Sequence, residues 1–331
     1  MKKILITGAT GQIGSELTLY LREIYGNEDV IAAGHKREPS EELKDSGPFI
    51  FLDTMKYSEI DEVVKKFNIN TIYHLSAILS AKGEENPLDA WRVNMDSLIN
   101  VLEIAKNYKC QVFYPSSIAV FGPTTPRDNT PQETILRPTT MYGITKLTGE
   151  LLCEYYFNKF GVDARGVRYP GLISYVTPPG GGTTDYAVEI FYEAIKYKKY
   201  KCFLKEDTYL PMMYMPDAIK AAHNLMEADS DKLIHRASYN IQSMSFCPKD
   251  LYLEIKKYIP EFEMSYEIDK VKQSIANSWP KSVDSSCAER EWGFKPKYNF
   301  NDMVKDMIEK LSKKLIWFFL VPKFACWVLG T

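Results

Sequence analysis

The run KKILITGATGQIG, residues 2–14, constrains this chain more than any other stretch. Its first half is short, apolar and β-rich, which reads as a strand buried on both faces. Its second half sets Gly8, Gly11 and Gly14 in a GxxGxxG pattern, after which Ile13, Leu17, Leu21 and Ile24 recur at helical spacing. Glycines at such a junction let the backbone turn tightly and approach a pyrophosphate. The helix N-terminus attracts that anion through free N–H groups and its dipole. Ordinary tight βα turns also use glycine, so it is the place at the first strand–helix junction that points to a nucleotide cofactor.

The same alternation continues. Residues 29–34, 49–53, 71–77, 110–117 and part of 163–173 read as strands, and 12–25, 58–67, 87–108 and 141–160 as helices. Strands alternating with helices predict an α/β fold, a Rossmann-type doubly wound parallel sheet with right-handed connections. After about residue 173 loops lengthen and aromatic and methionine residues accumulate, as in LPMMYMPDAI. Segments 185–195, 217–228, 249–258 and 300–314 read as helices of a smaller, irregular α/β substrate lobe. The expected division is a dinucleotide-binding domain over 1–173, with later segments crossing back near 212–242, and mainly a substrate-binding lobe over 174–315. Residues 316–331 form an apolar tail broken by Pro322 and Lys323. It is too short for a membrane span and reads as an interfacial anchor, a strap across a subunit, or a non-native or disordered extension.

Composition narrows the function classes. With 331 residues, 45% hydrophobic, 25% charged and a net charge of -2, the chain can bury a large core and shows no basic excess for nucleic acid. The six cysteines (Cys110, Cys153, Cys202, Cys247, Cys287, Cys326) form no CxxC, and His35, His74, His223 and His235 do not cluster with them in sequence. No metal site and no disulfide scaffold is expected, and a reducing, cytoplasmic setting is. The apolar stretch of MKKILITGAT is too short for a signal peptide.

Tyr142 and Lys146 stand at i, i+4 and so share one helix face. A free tyrosine titrates near ~10, and a neighbouring ammonium favours the phenolate, which makes a usable general base. A surface Tyr–Lys pair would look the same. Ser117 ends the fifth strand, where ligands meet open α/β sheets. Its hydroxyl can donate to a substrate oxygen beside Tyr142, or simply cap the strand as an ST-turn. Asn94 either braces the active-site helix or is a satisfied interior polar group. Asp53 either accepts from an adenine amino group or caps the next helix. The second strand ends in AAGHKREP without a carboxylate. His35, Lys36 and Arg37 there suit a 2′-phosphate, hence NADP, or form a solvated basic turn.

The segment SYVTPPGGGTTDYAVEIF, residues 174–191, is the oddest in the chain. Gly180, Gly181 and Gly182 can expose N–H groups as an anion nest. Thr183 and Thr184 add hydroxyls. Asp185 can pair with an ammonium, or answer the dipole of the helix it opens.

GxxGxxG, Asn94, Ser117 and YxxxK together resemble the extended short-chain dehydrogenase/reductase superfamily, many of whose members act on nucleotide sugars. RYPGLI resembles its nicotinamide-contacting strand end and implies Leu172. A narrower resemblance is to the short-chain type of L-threonine 3-dehydrogenase. It rests on LSAILSAKGE, RPTTMYGITK, RYPGLIS, PPGGGTTDYAVEIF, LPMMYMPDAI and IANSWPKSVDSSCAEREWGF, and it covers the chain to about residue 315. That resemblance implies NAD, oxidation of the L-threonine β-hydroxyl, and a homodimer through helices near 88–107 and 142–160. It implies cofactor contacts from Gln12, Ile13, Leu75 and Ala77 beside the glycines, and pocket roles for Ser80 and Trp279. The basic turn at His35–Arg37 departs from the acid expected of an NAD user. The rivals are a nucleotide-sugar epimerase or dehydratase and a non-catalytic dinucleotide sensor.

Overall fold

The computed structural model describes residues 2–320. The elements in chain order are β1 (Ile4–Thr7), α1 (Gln12–Tyr25), β2 (Val30–Gly34), α2 (Glu41–Asp45), β3 (Phe49–Phe51), α3 (Tyr57–Phe67), β4 (Thr71–His74), α4 (Ser80–Glu85), α5 (Pro87–Tyr108), β5 (Gln111–Ser117) and α6 (Met141–Phe160). There follow β6 (Ala164–Tyr169), β7 (Gly171–Ile173), α7 (Tyr186–Tyr197), β8 (Lys199–Cys202), β9 (Leu210–Tyr214), α8 (Met215–Glu227), β10 (Tyr239–Asn240) and β11 (Met244–Phe246). The chain closes with α9 (Pro248–Lys256), β12 (Glu263–Tyr266), α10 (Lys270–Ser278), α11 (Ser286–Trp292) and α12 (Phe300–Leu320).

Seven strands form one parallel sheet in the order β10-β6-β5-β4-β1-β2-β3. The chain therefore reverses direction across the sheet between β1 and β4, and ligands of such sheets sit beyond the carboxyl ends at that switch point. β1 is buried at every residue, as an apolar run covered on both faces requires. α1 and α8 pack together on one face, and α3, α5 and α6 cover the other. β5 outruns β4, whose pairing with it stops at Phe113. Pro115 therefore stands where its missing N–H deprives β4 of nothing.

The sixth strand does not run on through residue 173. Pro170 breaks it, and β7 turns into a second sheet of order β11-β9-β7, which walls the carboxyl edge of the first. A parallel pair β12-β8 and helices α7, α9, α10 and α12 build up around that wall over a separate apolar core containing Phe191, Leu251 and Met307. α8 and β10 return to the large sheet. The tail expected from residue 316 begins inside α12, which continues through Leu320; residues 321–331 lie outside the described residues. Among the described residues no helix is long and apolar enough to cross a membrane.

Candidate active site

The β1–α1 turn is built for close approach. Gly8 takes φ +69°, in the left-handed region that glycine tolerates, and a Cβ at Gly14 would stand 2.3 Å from Gly8 O. No side chain caps α1, and its first turn carries no acid, so its N-terminal N–H groups and dipole are left for a foreign anion. A dinucleotide's pyrophosphate fits this donor set.

Gly8, Gly11, Gln12, Ile13 and Gly14 line a cleft of about 260 Å³ together with Leu75 and Ala77 after β4. Ser80 from the start of α4, Ser117 from the end of β5, Tyr142 and Lys146 from α6 and Leu172 from β7 line it as well. Gly182, Thr183, Thr184, Asp185 and Trp279 close it from the far side. Size does not select this cleft. A larger hollow of about 630 Å³ lies at the amino-terminal edge of the sheet, lined by Lys2, Lys106, Lys109 and Asp163, and it gathers no acid–base pair of this kind.

Asp53 lies outside the cleft. Its carboxylate accepts from Met55 N at 3.0 Å, the local turn-capping role. His35, Lys36 and Arg37 are exposed beyond the end of β2 and do not line the cleft.

Local packing explains which serine faces which partner. Ser116 Oγ donates to Glu150 Oε1 at 2.5 Å, and Glu150 holds the Arg168 guanidinium through bonds of 2.9 and 2.8 Å with both groups buried. Ser117 is left to the cleft: its Oγ accepts from Ala119 N at 3.2 Å, and its hydroxyl favours the ionised form of the neighbouring Tyr142 phenol. The ST-turn and the tyrosine contact coexist. Asn94 ties two parts of the site together. Its Oδ1 accepts from Ile78 N at 2.7 Å, and its Nδ2 donates to Ile78 O and to Thr145 Oγ1, both at 3.1 Å.

Electrostatics correct one expectation. The lysine does not hold the phenol low in the protein alone. Lys146 Nζ lies 5.5 Å from the Tyr142 ring centroid and donates to Pro115 O at 2.6 Å. Burial pushes the Tyr142 phenol up to about 12, against a lowering pull from the Ser117 hydrogen bond. Burial also brings the Lys146 ammonium down to about 8. His74, at the end of β4, is buried between Thr7 Oγ1 and Ser97 Oγ, and burial drives it down to about 3, so it stays neutral.

The glycine loop corrects another. The N–H groups of Gly180, Gly181 and Gly182 donate to Asp185 Oδ2 at 2.7, 2.7 and 2.8 Å. The nest holds the chain's own carboxylate, so it is not open to a substrate anion, and an Asp185 pairing with an ammonium would have to use the other oxygen. One histidine does meet a cysteine in space: His235, Cys287 and Glu291 offer ligand atoms within 4.8 Å of one another. Glu291 is already engaged there, accepting from Ile234 N, His235 N, His235 Nδ1 and Tyr239 Oη, a latch between that turn and α11.

Residues 4–241 match the model of the NAD dependent epimerase/dehydratase family. The chain belongs to that family. It is 53% identical over 316 residues to an uncharacterized epimerase/dehydratase of Staphylococcus saprophyticus, covering 95% of this chain and 98% of the relative. Among solved structures it is similar to an L-threonine dehydrogenase from Clostridium difficile, with a TM-score of 0.93, 57% identity, and coverage of 95% of this chain and 98% of the other. It is also similar to a structure described as a monomeric L-threonine 3-dehydrogenase from a metagenome, with a TM-score of 0.90, 45% identity, and coverage of 94% and 99%.

Proposed function

We propose that this family member is an NAD-dependent L-threonine 3-dehydrogenase that oxidises the substrate's β-hydroxyl to give 2-amino-3-ketobutyrate. One observation carries the reading. A single cleft joins the phosphate-type turn, the Ser117–Tyr142–Lys146 group and a small hydroxyl-rich wall at Ser80, Thr183 and Thr184. The likeness to solved L-threonine dehydrogenases supports the substrate.

NAD, when bound, supplies a hydride acceptor and a cationic ring. The chain's residues do the rest. Tyr142 Oη takes the hydroxyl proton while Ser117 Oγ orients the reacting oxygen. Lys146 lends positive charge behind the phenol, which burial alone leaves a poor base. Ser80, Thr183 and Thr184 offer donors to the substrate carboxylate, and Trp279 walls its methyl group. The 1–173 segment serves the dinucleotide, with 212–242 returning to it, and 174–315 mainly shapes the substrate side. The product is a β-keto acid, prone to lose carbon dioxide.

The test is initial-rate formation of NADH from L-threonine and NAD, with UDP-sugars as the competing substrate class. Tyr142→Phe should cut kcat by about 10²- to 10⁴-fold, the usual contribution of a positioned acid–base group. Undiminished turnover in that variant, or none in the parent with either NAD or NADP, sinks the proposal.

A homodimer through α5 and α6 is part of the same reading. The two helices pack side by side and leave Leu88, Trp91, Leu151 and Tyr155 exposed. Sedimentation velocity should give twice the chain mass; a monomer, as in the metagenome relative's description, overturns this part alone. The buried free thiols Cys110, Cys153, Cys202, Cys247 and Cys287 suit a reducing, cytoplasmic setting.

A further inference from the structure

The mechanism leaves a half-buried carboxyl beside the cleft unused. Glu16 lies on α1, one turn after the cleft-lining Gln12 and Ile13. Its Oε1 accepts from Ser174 Oγ at 2.5 Å. Ser174 is fully buried and is the first residue after β7, where the chain leaves Leu172 for the glycine loop. The same Ser174 Oγ accepts from Val176 N at 2.9 Å and Thr177 N at 3.4 Å. From α12, Lys314 Nζ donates to Tyr175 O at 3.2 Å and Val176 O at 2.7 Å. Residues 174–177 are therefore held from both sides, by α1 through a carboxyl and by α12 through an ammonium. A second thread runs from Ser15 Oγ to Thr177 Oγ1 at 3.4 Å.

We propose that Glu16 is a positioning residue. Its carboxyl, bonded to Ser174 and facing Lys314, ties the cofactor-side helix to the root of the 174–185 loop and so sets how well Thr183 and Thr184 are presented to substrate. This rests on the threonine reading only for the identity of the substrate; the tie itself does not.

The charge state of Glu16 governs the strength of the tie. An ionised acceptor holds a hydroxyl about twice as strongly as a neutral one. The groups that face it are Lys314 from α12, Glu42 from α2 and Tyr175 from the loop. Glu16 keeps some water-accessible surface, but dense surroundings dominate, and burial pushes its carboxyl up to about 7 against the lowering pulls of Ser174 and Lys314. The carboxyl is thus neutral at pH 6 and ionised at pH 8.5. With a folded value above the unfolded one, the unfolded chain gives up this proton first. Glu16 therefore lowers global stability as pH rises from 4.5 to about 7, while its bond to the loop strengthens.

The experiment is Glu16→Gln, which keeps size and a carbonyl acceptor but cannot ionise. The ratio of the variant's KM for L-threonine to that of the parent should be near one at about pH 6 and rise to about fivefold at about pH 8.5, the surplus of a charge-assisted bond. The ratio of kcat values should move less. Hydrogen exchange of residues 174–185 in the cofactor-free proteins is the second readout. The variant should exchange faster than the parent at the higher pH and equally at the lower. A KM ratio flat across pH, or equal exchange at both pH values, overturns the proposal. If the parent turns over no threonine, the functional reading fails, and the exchange contrast still decides whether the tie exists.

Discussion

Two glycine-rich turns reach the cleft, Gly8–Gly14 directly and Gly180–Gly182 through Gly182, and they solve opposite problems. The first has no acid closing on it: α1 opens without a side-chain cap and without an acidic residue in its first turn, and the nearby Glu16 is engaged by Ser174 instead. Its shape is enforced by packing, because any Cβ at Gly8 would stand 2.9 Å from the Leu75 carbonyl carbon. The second carries its anion with it, three N–H groups closed on Asp185. Added Cβ atoms at Gly180 and Gly181 would meet nothing within 4 Å, so that loop is shaped by hydrogen bonds and not by crowding. Similar composition thus makes an open anion cradle in one place and a self-stapled wall in the other. What separates them is whether a carboxylate sits within reach of the nest.

If the cradle is set by packing, a single methyl group should ruin it. At Gly14 an added Cβ would lie 2.3 Å from Gly8 O and 2.8 Å from Ala9 Cα, both backbone atoms that cannot swing away. Gly14→Ala is expected to weaken NADH binding about 10- to 100-fold and to cost about 1–3 kcal/mol of stability, the range for overpacking a tight site. Fluorescence titration with NADH and thermal unfolding check both. Parent-like affinity would mean that the turn is as yielding as the glycine loop, and the contrast between the two would vanish.

The turn was legible because everything it needs lies within a few residues: strand, glycines, then helical periodicity. The Tyr142–Lys146 spacing is equally local. The large sheet followed from alternation alone, and its order came out as the doubly wound one. What stayed hidden depends on chain segments meeting in space. Lys146 donates to Pro115 O, 31 residues away, a partner that the i, i+4 spacing does not reveal. Arg168 and Glu150 find each other only when β6 lies beside β5 and α6, and their pairing occupies Ser116. The end of the sixth strand could have been read from Pro170 in RYPG, since proline cannot continue a ladder. The meeting of His235 with Glu291 could not. The fate of the glycine nest sits between these cases. Asp185 is near in sequence, and the three-residue spacing from Gly182 permits the closure, but an acid before a helix has a dipole to answer as well.

The staple gives the smaller and more discriminating test. Asp185→Ala removes the acceptor shared by Gly180, Gly181 and Gly182 without touching the β1–α1 turn. The N–H groups lose a charged partner, but the first two glycines are exposed, so water replaces much of it. The expected result is a rise of about tenfold in KM for L-threonine, in line with one lost charge-assisted bond, and NADH affinity within about twofold of the parent. Initial rates with saturating NAD and the same fluorescence titration separate the two. Losing both affinities together would mean that loop and turn act as one unit. A fall in KM would be more instructive still. It would mean that the freed N–H groups take the substrate carboxylate better than Thr183 and Thr184 do, and that Asp185 occupies a site the substrate could otherwise use.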